Sequence, residues 1–343
     1  MKNKLIGCGL TCASLLLVLL VLEAGLRFKH WAAPSHIAWD DTLGWRTAGN
    51  HVFEGTLHDA SGAAYPVRRT TDEHGFRMAG NLDSGRPRLL VLGDSFTYAK
   101  DVSDDETYFA RLGEALDVEV FAYGCEGFGT LQEYMVLDAH LDRIQPDFIL
   151  WQFCWNDVIN NSEELERASN QNNNGWRRPY WRDGAVVYAT PKPFGALRHA
   201  AVRHSRLLHS IQVRLSNLLY DPERPTVENA IREEGREHPG LQQASSATQA
   251  VLAQAVKRAG DVPILSFSVS LFEPLNDEMR SILDSVGITY IPGVAEAVEG
   301  AAANGTVVKA ADNTHWNPRG HALAAKILAE PLRTQLNGLT PGH

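Results

Sequence analysis

The sequence predicts an α/β protein, with a parallel sheet carrying helices on both faces. Three observations lead there. Short apolar runs recur at 88–92, 118–122, 147–153, 262–269 and 288–291, the length and character of fully buried strands. Stretches with helical spacing of apolar residues, at 107–116, 131–144, 241–259 and 274–286, separate them. The two kinds alternate along the chain, which is the pattern of right-handed crossovers between parallel strands.

The first thirty residues are of another kind. Lys2 and Lys4 precede an uncharged run from Leu5 to Leu22 that ends at Glu23. As a helix this run spans about 27 Å, close to a bilayer core, and the apolar segment 5–26 is expected to cross a membrane. A cleaved signal peptide is the rival. It calls for small residues before the cut, which Leu22-Glu23-Ala24 and Trp31-Ala32-Ala33 supply poorly. Leu5-Ile6-Gly7-Cys8 mimics a lipoprotein site, but no apolar stretch precedes it. An uncleaved anchor over residues 1–30 is therefore expected, with the basic N-terminus in the cytoplasm and the rest periplasmic or extracellular. Arg27 and Lys29 on the far side work against that orientation.

Residues 31–86 form a turn-rich extension. Asp41-Thr42-Leu43-Gly44, Ala48-Gly49-Asn50, Ala60-Ser61-Gly62 and Glu73-His74-Gly75 punctuate short strands, so one or two hairpins are expected against the main domain. That domain runs over 87–338. Within it the alternation pauses at about 158–241, an insertion expected to act as a lid or cap. It holds a polar loop at Asn170 to Gly175, a hairpin from Trp176 to Tyr188 turning at Asp183-Gly184, an amphipathic helix from Val202 to Leu219, and a loop from Tyr220 to Gly240. Pro318, at a helix's first turn, opens a C-terminal helix reaching about Leu336.

Composition narrows the function. The net charge is −9 and no basic patch with interleaved aromatics appears, so no nucleic-acid partner is expected. Four cysteines are present, two of them in the apolar run, and Cys125 and Cys154 are expected to be small buried thiols.

Gly93-Asp94-Ser95 closes the first buried strand, where ligands of open α/β sheets bind. A serine there is a poor nucleophile without a base, which directs attention to the thirteen histidines. His315 lies in Asp312-Asn313-Thr314-His315-Trp316, and an Asp three residues earlier can share its turn and accept the Nδ1 proton. A helix-capping Asp beside a surface His is the plain alternative. For a metal site, no third ligand stands out. His199, His204 and His209 are spaced poorly for one helix face.

In four ordered blocks the chain resembles the SGNH (GDSL-like) hydrolases: Val91-Leu92-Gly93-Asp94-Ser95-Phe96, Gly124-Cys125-Glu126-Gly127-Phe128-Gly129, Trp155-Asn156-Asp157 and Asp312-Asn313-Thr314-His315. The resemblance covers about residues 88 to 330. It implies a flavodoxin-like three-layer sandwich and a triad of Ser95, His315 and Asp312. It also implies an oxyanion hole from the Ser95 and Gly127 amides and the Asn156 side chain. The chain departs from the pattern at Cys154, where the family carries glycine, and a side chain there either crowds the oxyanion loop or packs beside it. The glycines read Gly-x-x-Gly-x-Gly, not the dinucleotide Gly-x-Gly-x-x-Gly, and no cofactor is expected.

The anchor and the Asp312–Trp316 block also look like bacterial proteins that add or remove acetyl groups on exported polysaccharides. An esterase acting on an O-acylated carbohydrate is the leading expectation. A transferase with the same triad, working with a membrane-bound acyltransferase partner, is the second, and a non-catalytic carbohydrate-binding or assembly protein the third. Lipid or peptidoglycan esters are further possible substrates. Trp176, Tyr180 and Trp181 either stack on sugar rings or pin the hairpin as an aromatic cluster.

Overall fold

A computed structural model describes residues 2–32, 35–169, 177–189, 201–202, 204–218 and 226–338. The chain divides into two compact units, Met1–Trp39 with Thr190–Arg224, and Asp40–Ala189 with Pro225–His343.

In the first unit, Lys2–Ala32 is one helix. Its stretch Gly9–Lys29 has a mean hydropathy of 2.2 and no buried part, so by length and composition it can cross a bilayer; a signal sequence passes the same test. The expected amphipathic helix is present as Arg206–Leu218. Glu23 caps it, accepting from Ser205 Oγ at 2.9 Å and from the Arg206 and Leu207 amides at 3.1 and 2.8 Å. A carboxylate there satisfies otherwise orphaned amides and faces the positive end of the helix dipole.

The second unit holds the sheet. The short β1 (Ile37–Asp40) falls largely in the first unit; the strands of the second are β2 (Gly44–Thr47), β3 (Val52–His58), β4 (Ala64–Thr70), β5 (Met78–Ala79), β6 (Arg88–Gly93), β7 (Glu119–Gly124), β8 (Phe148–Phe153), β9 (Pro179–Arg182), β10 (Ala185–Tyr188), β11 (Ile264–Ser268) and β12 (Thr289–Tyr290). The main sheet has six strands in the order β12-β11-β8-β6-β7-β5. The pairs among β6, β7, β8, β11 and β12 are parallel, as expected, whereas β5 joins the edge antiparallel. The extension thus contributes a strand to the sheet. At two residues, Met78–Ala79 is too short to show a period in sequence.

Helices cover both faces. Leu89, Val91, Val120, Ala122, Phe148, Leu150 and Phe267 point into one core with Phe109 and Leu112 of the helix Tyr108–Leu116 and Leu328 and Leu332 of Pro318–Gly338. The alternate residues face the helix Thr130–Ile144, whose Glu133 accepts a hydrogen bond from the Trp151 indole of β8. Among the five parallel strands, β6 comes first in sequence and lies between β7 and β8. The chain therefore leaves β6 first to one side and then to the other, and a crevice opens at the carboxyl ends at such a switch point.

Two stretches differ from expectation. Tyr220 to Gly240 is not all loop, because Val227–Glu234 is a helix and Gly235–Glu237 a helical turn. Thr226 caps the helix, and Val227 and Ile231, four apart, are buried on one face. Pro239 stands at a helix start, not in an interior: it is the first residue of Pro239–Ala259. Val294–Ala303, rich in alanine, is a further helix that showed little amphipathic contrast in sequence. Where the alternation was expected to pause, Asn156–Asn160 and Glu163–Ala168 are short helices. The hairpins over 52–70 and 179–188 form as expected, the second turning at Asp183 and Gly184 with φ of 52° and 80°. The loop Asn170 to Gly175, Trp176 and His199 lie outside the described residues.

Candidate active site

Ser95 opens a four-residue helix at the end of β6. Asp94 caps that turn by accepting from the Phe96 amide at 3.0 Å. The Gln152 side chain on neighbouring β8 accepts from the Asp94 amide at 3.1 Å and from Thr97 Oγ1 at 2.9 Å. The Ser95 turn is thus tied to the next strand by buried bonds. From the other side β7 must come very close: a Cβ on Gly124 would lie 2.2 Å from the Tyr98 amide nitrogen and 2.6 Å from the Asp94 carbonyl. Only glycine fits there.

Asp312 and His315 share one turn, and it brings them to Ser95. His315 Nδ1 is 2.6 Å from Asp312 Oδ2, and His315 Nε2 is 2.8 Å from Ser95 Oγ. With the Nδ1 proton given to Asp312, Nε2 is left to accept from the serine. The other Asp312 oxygen accepts from the Thr314 and His315 amides at 3.0 and 2.9 Å. Asp312 is therefore not the helix cap; Asn317 is, accepting from the Arg319 and Gly320 amides at 3.0 and 3.1 Å. The loop is held from outside as well: the Ala311 amide donates to the His58 carbonyl at 3.1 Å, and the Ala60 amide to Lys309 at 3.0 Å. The β3–β4 hairpin of the extension thus docks, through an isolated bridge between Asp59 and Ala310, on the segment that leads into the Asp–His turn.

The electrostatics follow from this geometry. The His315 hydrogen bond holds the Asp312 carboxyl well below the usual carboxylate range. Burial pushes His315 down, but the hydrogen bond and charge of Asp312 outweigh it and leave the imidazole above its ordinary value. Asp94 is raised by burial, against the Phe96 amide, the His315 charge and the Gln152 and Asn156 side chains. Solvent reaches this cluster in part, with 20% of the His315 side chain and 37% of Asp312 exposed.

The two other expected donors sit at neighbouring strand ends. Gly127 occupies the turn after β7 with a φ of 72°. Asn156 starts the short helix after β8, its side chain near enough to Asp94 to work against the rise of that carboxyl's pKa. Among the described residues, neither the Ser95 nor the Gly127 backbone N–H has an acceptor in the protein. Cys154 does not crowd this loop: it is buried in the core cluster, its Sγ 3.8 Å from Ser270 Oγ, and its amide donates to Asp157 at 2.8 Å. Both Cys125 and Cys154 are free buried thiols, as expected.

Several residues at the site were not singled out from sequence. Asp101, which did not stand out in sequence, lies close enough to Asp312 and His315 for the three to face one cation. A cation there would compete with the Asp312–His315 bond. Lys100 pairs with Glu126 at 3.1 Å beside the triad. Arg178, 1% exposed in its side chain, donates to Glu166 at 2.9 Å and to the Gly127 carbonyl at 2.7 Å. Tyr180 is buried with its hydroxyl on Glu166, which leaves it a structural role in the hairpin and not a sugar platform. Trp155, next to Asn156, stacks on Phe272 with ring centroids 4.9 Å apart.

No protein-family model matches this chain, and no curated protein matches its sequence. Solved structures resemble it loosely. A lipase/acylhydrolase from Enterococcus faecalis is 11% identical with a TM-score of 0.40, over 75% of this chain and 99% of that one. The protein TesA is 13% identical with a TM-score of 0.42, over 71% and 99%. An acetyl xylan esterase from the rumen bacterium Butyrivibrio proteoclasticus is 14% identical with a TM-score of 0.38, over 73% and 64%. At TM-scores of 0.42 and below, these likenesses assign neither an activity nor a substrate to this chain.

Proposed function

We propose that this chain is a serine-dependent ester hydrolase with Ser95 as nucleophile, His315 as general base and Asp312 as its orienting partner. The observation that carries the reading is the continuous chain Asp312 Oδ2–His315 Nδ1 at 2.6 Å and His315 Nε2–Ser95 Oγ at 2.8 Å, set at the carboxyl end of a central strand. Segments 220 residues apart meet there with both spacings suited to proton transfer.

In this reading His315 takes the Ser95 proton as Oγ attacks an ester carbonyl. The developing oxyanion accepts from the Ser95 and Gly127 amides and the Asn156 side chain. The imidazolium, steadied by Asp312, then protonates the departing alcohol. A water, activated by the same histidine, releases the acid and restores Ser95.

The partly exposed triad favours acyl groups that project from a large molecule, such as O-acyl groups on a carbohydrate chain, over a ligand that must be engulfed. The apolar N-terminal helix supports a membrane anchor with the catalytic unit periplasmic or extracellular. To test the reading, full-length protein in detergent is given an O-acetylated oligosaccharide, and acetate release is followed alongside acetyl transfer to an unacetylated acceptor. Acetate release by the wild type and not by Ser95→Ala supports the hydrolase. Transfer without release favours the transferase, and no reaction of either kind contradicts both.

A further inference from the structure

We infer that Trp45 is a positioning residue that sets the orientation of the oxyanion-loop peptide between Glu126 and Gly127. The inference rests on the proposed role of the Gly127 amide. Residues Cys125 to Phe128 form a turn closed by the Phe128 amide on the Cys125 carbonyl at 3.2 Å, with positive φ at Gly127. Positive φ at the third position is the type II signature. Type I and type II turns differ by rotation of the central peptide through about 180°, and glycine at the third position accepts either state. The central peptide here is the one that carries the Gly127 N–H. Unlocked, that donor would divide its time between two opposite directions.

The lock acts on the far end of the same peptide. A trans peptide is planar, with its C=O and N–H on opposite sides. The Trp45 indole Nε1–H donates to the Glu126 carbonyl at 2.9 Å, so holding that oxygen toward the indole turns the Gly127 N–H away from it. Flipping would strand the indole N–H of a side chain 1% exposed. The adjoining groups are fixed too. Arg178 donates to the Gly127 carbonyl at 2.7 Å, and Thr47 Oγ1 to the Gly124 carbonyl at 2.7 Å. The Arg178 guanidinium lies over the Trp45 ring, 4.6 Å from its centroid. The Gly127 N–H itself has no acceptor among the described residues, so its direction is set from the carbonyl side alone.

Two variants separate this role from plain packing. Trp45→Phe keeps a ring and removes the donor. Phe76→Leu disturbs the ring packing behind the turn, where Phe76 meets Tyr123 edge-on with centroids 5.2 Å apart, and leaves the indole bond in place. For ester hydrolysis by the full chain, Trp45→Phe is expected to lower kcat about 10- to 100-fold with KM within about two-fold, somewhat less than outright loss of an oxyanion donor. Phe76→Leu is expected to lower the melting temperature and leave kcat within about two-fold. Crystal structures give a readout that needs no turnover: the Glu126–Gly127 peptide should be flipped or in two orientations in Trp45→Phe, and single in Phe76→Leu. An unmoved, single peptide in Trp45→Phe overturns the inference, as does an unchanged kcat. If the peptide flips while wild-type protein hydrolyses no ester, the proposed function has failed and the positioning of the peptide stands.

Discussion

Replacing Asp312 with Asn changes one atom of the triad and has two consequences of known sign. Asn retains the oxygen that accepts from the Thr314 and His315 amides, so the turn keeps its shape. At the position 2.6 Å from His315 Nδ1 it presents N–H donors, which forces the imidazole proton onto Nε2. Nε2, 2.8 Å from Ser95 Oγ, can then no longer accept the serine proton. The same wrong-tautomer change in a serine protease costs about four orders of magnitude, or about 5.5 kcal/mol of barrier, and a loss of that order is expected here. The second consequence concerns pH. The base works only as neutral imidazole, so activity falls as pH drops through the His315 pKa. In the wild type that limb lies above the ordinary histidine value, because Asp312 outweighs burial. Without the carboxylate, burial, the largest influence, and the Lys100 charge favour the neutral ring, opposed only by the smaller influence of the Asp94 charge. The residual activity of Asp312→Asn should therefore show its acid limb at lower pH. A pH–rate profile of p-nitrophenyl acetate hydrolysis by detergent-solubilised protein reads both. A variant as fast as wild type, or a limb that does not move down, would refute the assignment of Asp312 as partner of His315.

Other perturbations follow from the same contacts. Asn156→Ala should lower kcat about 10²- to 10³-fold with little change in KM, checked by steady-state kinetics. Gly124→Ala should cost about 3 kcal/mol of stability in urea unfolding, because the new methyl falls on the backbone of the nucleophile turn 2.2 Å away. Arg178→Met strands the buried Glu166 carboxylate and should cost about 3–5 kcal/mol; a second change, Glu166→Leu, should restore much of it in the same titration.

The sheet and the Ser95–His315–Asp312 set were legible because their signals are local. A buried strand ending in Gly-Asp-Ser is contiguous, and Asp312 and His315 are near enough in sequence to share a turn. The groups that hold the site in place were not, since they converge from distant segments. Trp45 and Thr47 come from the turn-rich extension, between two of its turns, and Arg178 stands just before β9. Its burial is visible only once Glu166, Gln132 and the Gly127 carbonyl gather around it. Asp101 escaped notice because the Asp312 loop reaches it only through folding. The helix Val227–Glu234 was hidden by flanking prolines, which stop a helix in its interior and start one at its first turn.

The central claim, that Ser95 is an activated nucleophile, is tested most directly with a fluorophosphonate probe on the full-length protein in detergent, followed by peptide mass spectrometry. The account predicts one adduct, on the peptide containing Ser95, lost in Ser95→Ala and slowed strongly in His315→Ala. A folded protein that takes no label at Ser95, or one labelled equally well without His315, would contradict it.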